Sequence, residues 1–380
     1  MPDWKVPLAD VRVPEEDIAA VSETYRSGWL SMGPRTEELE AALCAYTGAR
    51  HALAVANCTA GLHLMNLAAG LGPGDEVIVP SLTFVATVNA VAYTGATPVF
   101  AEIAGLDAPW LSAEAAERAI TPRTKAIASM TYAGHPGETE ALAALARERG
   151  LLLLEDAAHG AGTRIAGKHV GTFGAAGAFS FFSNKNLAVG EGGAVVTDDD
   201  ELAAAMRLLR SHGMTTLTWD RHRGHASGYD VVALGFNYRI DEPRATLATA
   251  RLARLDGENA RRRVLAERYH ERLGGRPGIT AVVPPFGSEH AQHLCALVLD
   301  EDVDRDAFRA ALQEQGVQTS LHYPPVHRFS IYARQDPPEL PLTDAYSARA
   351  VTIPMFAHMS EEQQELVVDG VEAAVGRVTA

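Results

Sequence analysis

The chain reads Leu151-Leu-Leu-Leu-Glu-Asp-Ala-Ala-His159 near its middle, and this stretch decides the fold. A short apolar run of this kind is typical of a strand that is covered on both faces of a parallel sheet. Glu155 and Asp156 end the run, so we expect them at the carboxyl edge of the sheet, where open α/β folds bind ligands. Taken alone, Asp156 is explained equally well as the N-cap of a helix. The stretch therefore predicts a central strand and one candidate site residue.

Strand-like and helix-like segments alternate from about residue 36 to about residue 255, which is the pattern of an α/β protein. Apolar runs predict further strands at Glu76–Pro80 and Gly193–Thr197. Apolar stripes at helical spacing predict helices over Thr36–Tyr46 and Asp199–His212, each followed by a glycine that can end it. We therefore predict a mostly parallel central sheet flanked by helices.

The C-terminal part of the chain predicts a second, smaller α/β unit. The basic run Arg261–Arg263 is interpreted as the opening of a helix, and Ala291–Leu299 and Asp306–Gln315 read as a strand and a helix. We predict a large domain over residues 1–255 and a small C-terminal domain over residues 256–380. The N-terminal segment is a candidate to pack on the small domain.

The composition excludes several classes of protein. The 380 residues carry 48 acidic and 33 basic side chains, and the net charge of −15 disfavours nonspecific binding to nucleic acid or to an anionic membrane. Three cysteines are too few for a disulfide framework, and no run of 18 apolar residues predicts a membrane span. The first residues lack the apolar core of a secretory signal. These features predict a cytoplasmic protein.

A lysine follows the aromatic stretch Phe179-Ser-Phe-Phe-Ser-Asn-Lys185 and precedes the glycine-rich turn Gly190–Gly193. Partial desolvation at such a place would lower the pKa of the amine and favour a Schiff-base nucleophile. Taken alone, Lys185 is more simply a surface lysine that lies along its aliphatic stem.

A third element is the segment Val55-Ala-Asn-Cys-Thr-Ala-Gly-Leu62, where a strand turns into a helix through small polar residues. The start of a helix directs backbone N–H groups and the positive end of its dipole at an anion. Alone it is a capped helix. Together with Asp156 and Lys185 it predicts a site for pyridoxal 5′-phosphate (PLP), with the phosphate at the helix start, the carboxylate at the ring nitrogen and the amine at the aldehyde.

Three other motifs are weaker. Gly162–Lys168 has the spacing of a phosphate loop, but His169 replaces the required Ser or Thr, so we predict a β-hairpin. The acids of Asp300–Asp304 resemble the start of a calcium loop that lacks its glycine and its glutamate, and we expect them to lead into a helix. His322 and His327 have no third ligand at a recognised spacing, so we predict no metal.

Seven stretches give the sequence a resemblance to a known family. It resembles the fold-type I PLP enzymes and, more closely, the DegT/DnrJ/EryC1/StrS family of nucleotide-sugar aminotransferases, over nearly the whole chain. The stretches, in family order, are Ser27–Pro34, Asn57–Leu62, Pro73–Phe84, Glu155–His159, Phe179–Asn186, Gly235–Arg239 and His322–His327. The fold-type I architecture, with a large PLP-binding domain and a smaller C-terminal α/β domain, is what this resemblance implies.

By matching position, the resemblance also implies roles for single residues. Lys185 would form the Schiff base with PLP and then move a proton, and Asp156 would keep the pyridine nitrogen protonated. Further contacts to PLP are implied for Thr59, the backbone N–H of Ala60, Phe84, His159, Ser183 and Asn237. Asn237 would reach the phosphate from the neighbouring subunit, which implies a homodimer with shared active sites. His159 stands where many members have Gln, near the phenolic oxygen of PLP, and Cys58 stands where many have Gly. Candidates for binding the sugar nucleotide or supporting the site are Ser31, Arg239, His322, Tyr323 and His327.

The resemblance implies transfer of an amino group from L-glutamate to a keto-deoxysugar nucleotide. The segment Arg221–Tyr229 looks like that of members acting on C4 of dTDP-4-keto-6-deoxyglucose, in the biosynthesis of antibiotic or surface deoxyaminosugars. A 3-keto sugar and a cyclitol or aminobenzoate-type substrate stay open, as do glutamine as the donor and the base of the nucleotide. A sugar dehydratase would have His in place of Lys185, a non-catalytic regulator or scaffold would break the site, and a nicotinamide dehydrogenase would carry a Gly-x-Gly-x-x-Gly turn after a strand.

Overall fold

The leucine stretch forms the middle of a large sheet in the computed structural model of the protein, which describes residues 4–216, 219, 222–224, 228–285 and 287–378. The strands are β1 (His51–Val55), β2 (Glu76–Pro80), β3 (Thr97–Ala101), β4 (Thr124–Met130), β5 (Leu152–Asp156), β6 (Arg164–Ile165), β7 (Lys168–His169), β8 (Ala176–Ser180), β9 (Gly193–Thr197), β10 (Ile279–Val283), β11 (Cys295–Leu299) and β12 (Ala350–Ile353). Seven of them form one sheet in the order β1-β9-β8-β5-β4-β2-β3. The predicted α/β fold with a mostly parallel central sheet is confirmed.

Strand β5 is parallel to both of its neighbours, with Asp156 opposite Met130 of β4 and Ala178 of β8. β2 and β3 continue the parallel arrangement, whereas β9 runs antiparallel to β8 and β1. Because parallel strands end at the same edge, the residues that follow β2, β4, β5 and β8 meet there. This edge holds the site described below.

Helices cover both faces of the large sheet because its strands are apolar on both sides. On β5, Leu154 packs into a core with helices α3 and α4, and the preceding Leu153 packs into a core with α5 and α6 on the other face. The helices up to residue 252 are α1 (Glu15–Arg26), α2 (Pro34–Thr47), α3 (Cys58–Ala68), α4 (Val85–Ala92), α5 (Ala113–Arg118), α6 (Thr139–Arg149), α7 (Asp200–Arg210) and α8 (Glu242–Leu252). The predicted helices at 36–46 and 199–212 correspond to α2 and α7, and Gly48 ends α2 with a φ of 82°.

The second unit is built on an antiparallel sheet of three strands in the order β10-β11-β12. Its helices are α9 (Leu255–Leu273), α10 (Arg305–Glu314), α11 (Ser330–Ala333), α12 (Pro341–Arg349) and α13 (Glu361–Val378). The interpretation of Arg261–Arg263 as a helix start is wrong, because α9 begins at Leu255 with the acids Asp256 and Glu258 in its first turn. Asp304 caps α10 as expected, accepting hydrogen bonds from two backbone N–H groups.

The N-terminal segment contacts this second unit. Val6 forms a parallel bridge with Val317 and is buried in the same core as Phe308 and Val351. The division of the chain at residue 255 stays a prediction. Within the described ranges, no helix combines the length and the apolar character needed to cross a membrane.

Candidate active site

A cavity of about 740 Å³ lies at the carboxyl edge of the large sheet. Its walls are formed by residues that follow β1, β2, β5 and β8, together with the segment before β12. The predicted site residues that line it are Thr59, Ala60, Phe84, Asp156, His159, Lys185, His322 and Tyr323. Residues that are far apart in the sequence therefore come together as the sheet topology requires.

Lys185 lies in the loop after β8, where its backbone N–H donates to the carbonyl oxygen of Phe182 at 2.9 Å. Burial lowers the pKa of its amine from 10.5 to about 8, although the nearby carboxylate of Asp156 opposes the shift. About a tenth of the amine is then neutral at pH 7, against well under a thousandth for an ordinary lysine. A neutral amine is the form that attacks an aldehyde.

The loop that carries Lys185 is held by its next residue, Asn186, whose side chain is buried. Its amide nitrogen donates to Asn259 Oδ1 at 2.7 Å and to the carbonyl of Ala291 at 2.9 Å. Its Oδ1 accepts from His293 Nδ1 at 2.9 Å. These bonds join the lysine loop to helix α9 and to the segment before β11, so Asn186 positions Lys185 from outside the cavity.

Asp156 is the last residue of β5 and is buried. Thr87 Oγ1 donates to its Oδ2 at 2.6 Å, and the backbone N–H of Ala158 donates to its Oδ1 at 3.0 Å. Burial raises the pKa of this carboxyl, and the two hydrogen bonds and Lys185 lower it in part. Asp156 therefore ionises most readily when a positive group lies in the cavity.

The start of helix α3 forms another wall of the cavity. Asn57 is its N-cap, and Asn57 Oδ1 accepts the N–H of Ala60 at 2.9 Å. The N–H group of Ala60, expected to hold a phosphate, is thus used by the cap, and the N–H groups of Cys58 and Thr59 precede the first intrahelical bond. The helix approaches the sheet closely here, because a Cβ on Gly193 would lie 2.7 Å from the backbone nitrogen of Cys58.

Two histidines on the cavity wall are neutral. Burial and the amine of Lys185 hold the pKa of His159 well below its usual range. Burial and the same amine lower the pKa of His322 to about 4, and its Nδ1 lies 2.8 Å from Thr352 Oγ1. Tyr323 Oη lies 3.0 Å from His159 Nε2.

Five predicted residues lie outside the cavity lining. Ser183 is exposed and donates to the carbonyl of Gly190 at 3.3 Å, and Ser31 is exposed near the N-terminal end of α2. Asn237 is exposed on the strand-like segment that pairs with Ser211.

The other two are Arg239 and His327. Arg239 is half-buried, and its backbone pairs with Val55 at the end of β1. His327 is buried behind the wall, because its Nδ1 lies 2.6 Å from Ser81 Oγ and its Nε2 lies 3.4 Å from Asp344. These contacts are consistent with a role for His327 in supporting the cavity wall. The roles predicted for all five residues stay predictions.

Sequence reasoning missed several cavity residues. Thr87 had no signal, because its hydrogen bond to Asp156 spans 69 positions of the chain. Asn184 was quoted only as part of a stretch, yet it lines the cavity, and within the described residues its buried Oδ1 has no hydrogen-bond partner. This buried acceptor is therefore available to a donor on a bound molecule.

The groups in the cavity fit PLP. An amine of lowered pKa, a buried carboxylate, a helix start and the ring of Phe84 face one space, which matches an aldehyde, a pyridine nitrogen, a phosphate and an aromatic plane. Lys185 would hold the aldehyde carbon, Asp156 the ring nitrogen, and Cys58 and Thr59 the phosphate. When bound, PLP supplies an electron sink for the carbon that loses its proton.

Comparison with known proteins gives the family. The profile of the DegT/DnrJ/EryC1/StrS aminotransferase family matches residues 12–372. The chain belongs to this family. As a DegT/DnrJ/EryC1/StrS aminotransferase it is a PLP-dependent sugar aminotransferase, which confirms the predicted enzyme class and cofactor.

Solved structures of similar proteins agree with this fold. TlmJ from Streptoalloteichus hindustanus is 33% identical with a TM-score of 0.92, and the match covers 99% of this chain and 100% of TlmJ. DesV from S. venezuelae is 37% identical with a TM-score of 0.88, over 97% of this chain and 98% of DesV. DesI, solved in the presence of its TDP-sugar product, is 32% identical with a TM-score of 0.87, over 99% of this chain and 94% of DesI.

Proposed function

We propose that this sugar aminotransferase moves an amino group from L-glutamate to the C4 ketone of dTDP-4-keto-6-deoxyglucose, in the biosynthesis of an antibiotic or surface deoxyaminosugar. The observation that carries the aminotransferase chemistry is the amine of Lys185, with a pKa of about 8, in one cavity with Asp156 and the start of α3. A volume of about 740 Å³ lies within the roughly 300–1,000 Å³ of sites for drug-sized ligands, which leaves room for a substrate beside the cofactor.

Support for a nucleotide sugar comes from DesI, which was solved in the presence of its TDP-sugar product. Support for C4 comes only from the likeness of the segment 221–229, of which residues 221 and 225–227 lie outside the described residues. In this proposal the neutral amine of Lys185 would hold the aldehyde carbon of PLP and would serve as the group that moves the proton, and Asp156 would keep the ring nitrogen protonated.

The first test is the absorbance spectrum of PLP-loaded enzyme before and after addition of L-glutamate, with L-glutamine in parallel. We expect glutamate to convert the bound PLP into its amino form in the wild type, and Lys185→Ala to lose the spectrum of lysine-bound PLP. Conversion by glutamine alone would contradict the proposed donor. No response to either amino acid would contradict the aminotransferase half-reaction.

The second test presents 4-keto and 3-keto nucleotide sugars side by side to the amino form of the enzyme. Turnover of the 4-keto sugar supports the proposal, and turnover of only the 3-keto sugar overturns the C4 assignment. Turnover of a free cyclitol ketone without either nucleotide sugar would select the cyclitol-type alternative.

We also propose a homodimer in which Asn237 completes the site of the partner. Phe84, Tyr93 and Phe182 line the cavity yet are 54%, 58% and 44% exposed, and Leu234, near Asn237, is 94% exposed. Large apolar side chains around a site mouth fit a surface that a second copy covers.

Subunit mixing tests this proposal. Lys185→Ala and Asn237→Ala would each be inactive alone, but a mixed dimer would carry one site with both native residues. Random mixing of equal amounts should restore about a quarter of wild-type activity, since half of the dimers are mixed and each has one intact site. Light scattering should give the mass of two chains. No recovery of activity, or a monomer, would overturn the proposal.

The proposed place of action is the cytoplasm, where the free cysteines Cys44, Cys58 and Cys295 stay reduced. Fractionation of the native cells, with activity recovered outside the cytosolic fraction, would contradict it.

A further inference from the structure

The tautomer of His159 is set by a backbone group. The N–H of Ala133 donates to His159 Nδ1 at 3.2 Å, so Nδ1 carries a lone pair. The ring is neutral, because burial and the charged or polar groups around it, Lys185, His293 and His322, lower its pKa. A neutral imidazole has one N–H, which here must be on Nε2.

Ala133 is held in an unusual backbone conformation. Its φ is 56°, in the left-handed region that few residues other than glycine adopt. Such a conformation persists where the surrounding structure determines it. The peptide that directs its N–H at His159 is therefore built into the turn after β4.

The proton on His159 Nε2 determines whether the Tyr323 hydroxyl donates or accepts in their hydrogen bond. His159 Nε2–H donates to Tyr323 Oη at 3.0 Å, so the phenol oxygen accepts and its own proton points elsewhere. The reverse arrangement, with Tyr323 donating to Nε2, would place a proton on Nδ1 against the N–H of Ala133. Burial raises the pKa of Tyr323, and Tyr132 and Asp156 add to the shift, so the O–H is retained.

Tyr323 lines the cavity, and its ring is flanked by Phe84 and His322. Among the described residues, the hydrogen bond with His159 is the one that Tyr323 Oη makes. The remaining donor is therefore available to a molecule in the cavity.

We propose that the Tyr323 hydroxyl donates a hydrogen bond to an oxygen of the molecule bound in the cavity, and that His159 is the positioning residue that directs it. The acceptor is the phenolic oxygen of PLP or an oxygen of the sugar, and the sugar acceptor rests on the proposed function. The family resemblance implies that the residue at position 159 contacts the phenolic oxygen itself. Here the imidazole N–H donates to Tyr323 instead, so the group that donates to the bound molecule is the hydroxyl of Tyr323.

The test uses PLP-loaded full-length enzyme with Tyr323→Phe, which keeps the ring and removes the O–H alone. If the acceptor is PLP, the pH midpoint of the PLP absorbance, measured without substrates, should rise by roughly one unit, since the ionised oxygen loses a donor. If the acceptor is the sugar, the midpoint stays and KM for the keto sugar should rise about tenfold. No change in either quantity overturns the inference.

Tyr332→Phe is the matched control. Tyr332 is also a buried phenol, and it donates to Asn89 Oδ1 at 2.6 Å away from the cavity lining. It should leave the midpoint and KM unchanged. An equal effect in this variant would overturn the inference, because the change would then follow from loss of any buried hydroxyl.

The positioning role of His159 has its own readout. His159→Ala should move the same quantity as Tyr323→Phe, and the double variant should be no worse than Tyr323→Phe alone. His159→Gln should restore the wild-type value, since one amide can accept from Ala133 and donate to Tyr323. If the effect in the double variant were the product of the effects in the two single variants, the proposal that His159 acts through Tyr323 would be overturned.

Failure of the proposed function is distinguishable from failure of this inference. A wild-type enzyme that turns over no nucleotide-linked ketone overturns the function, and the PLP measurement still decides the inference. In that case an unmoved midpoint in Tyr323→Phe overturns the inference as well.

Discussion

The two faces of the large sheet differ sharply at the end of β5, where two acids are consecutive. Glu155 and Asp156 are both buried, and burial raises the pKa of both carboxyls. Consecutive strand residues point to opposite faces, and Asp156 faces the cavity. Glu155 instead accepts the backbone N–H groups of Gly171, Phe173 and Gly174 at 2.6, 2.7 and 2.8 Å.

The two acids differ in whether their main hydrogen-bond partners can change from donor to acceptor. A backbone N–H can only donate, so the three donors around Glu155 require an acceptor. Thr87, the side-chain partner of Asp156, is a hydroxyl that can donate or accept, and it also pairs with Thr83 Oγ1 at 2.7 Å. Burial and pKa direction therefore do not separate a structural carboxylate from a functional one, whereas the number of fixed backbone donors does, with three on Glu155 and one, from Ala158, on Asp156.

The largest effect is expected for the amine on the cavity face. Lys185→Ala should lower transamination by more than about a thousandfold, because no other described group combines a lowered-pKa amine with the cavity. Steady-state rates with L-glutamate and a keto sugar measure it. Lys168→Ala is the control, since its amine lies 4.6 Å from the ring of Phe173 on the Glu155 side. Comparable loss in the control would remove the contrast between the faces.

Replacing the same lysine by methionine has a predicted effect on stability that is opposite in sign to its effect on activity. The folded pKa of Lys185 is about 8 and its ordinary value is 10.5, so the folded apoprotein binds fewer protons than the unfolded chain between these values. Stability should therefore rise with pH across that window in the wild type. Lys185→Met should raise the apoprotein Tm below about pH 8 and lose this advantage towards pH 10. A lower Tm at pH 7 would contradict the assigned shift.

The next effect is expected for Asp156→Asn, with a fall in kcat of about 10²–10³, since the ring nitrogen loses its carboxylate. The fold should tolerate the change, because Thr87 can accept from the new amide. A raised carboxyl pKa means that stability falls as pH rises from the ordinary value towards the folded one, so the apoprotein Tm at pH 7 should be unchanged or higher. Thermal unfolding and kcat together check this, and a lower Tm with full kcat would reverse the comparison.

Glu155→Gln should show the reverse pattern. The amide nitrogen would face one of the three backbone N–H groups, and the free energy of unfolding should fall by about 1–3 kcal/mol. The kcat of the folded enzyme should stay within about twofold of wild type, because Glu155 points away from the cavity. Urea unfolding and kinetics on one preparation measure both. A large loss of kcat at unchanged stability would make Glu155 part of the site.

The smallest effect is a shift in pH dependence. The rate at which the apoprotein takes up PLP should rise with pH around a midpoint of about 8, because the neutral amine of Lys185 reacts. Asp156→Asn should lower this midpoint, since the carboxylate raises the lysine pKa. Glu155→Gln should leave it in place. Equal shifts in both variants would show that the sheet does not separate the two charges.

Local patterns explain how much could be predicted from the sequence. The leucines of β5, the lysine after β8 and the polar turn at α3 each lie within one short segment, and together they predicted the fold, the cofactor and the residues that meet in the cavity. Thr87 and the pair of Tyr323 and His159 could not be predicted, because their contacts join positions 69 and 164 residues apart. The use of the Ala60 N–H by Asn57 is the ordinary bond of an Asn N-cap and could be predicted, although the resemblance assigned that N–H to the phosphate.

The bridge between Val6 and Val317 has a consequence for folding during synthesis. All seven strands of the large sheet lie between residues 51 and 197, so that sheet can assemble while later residues are still being translated. Val6 leaves the ribosome before any of them, yet its core needs Val351 and Val367. The segment around Val6 is therefore synthesised early but can be buried only after the residues of the small unit have been translated. A chaperone that binds this segment would delay folding of the small unit without delaying folding of the large sheet.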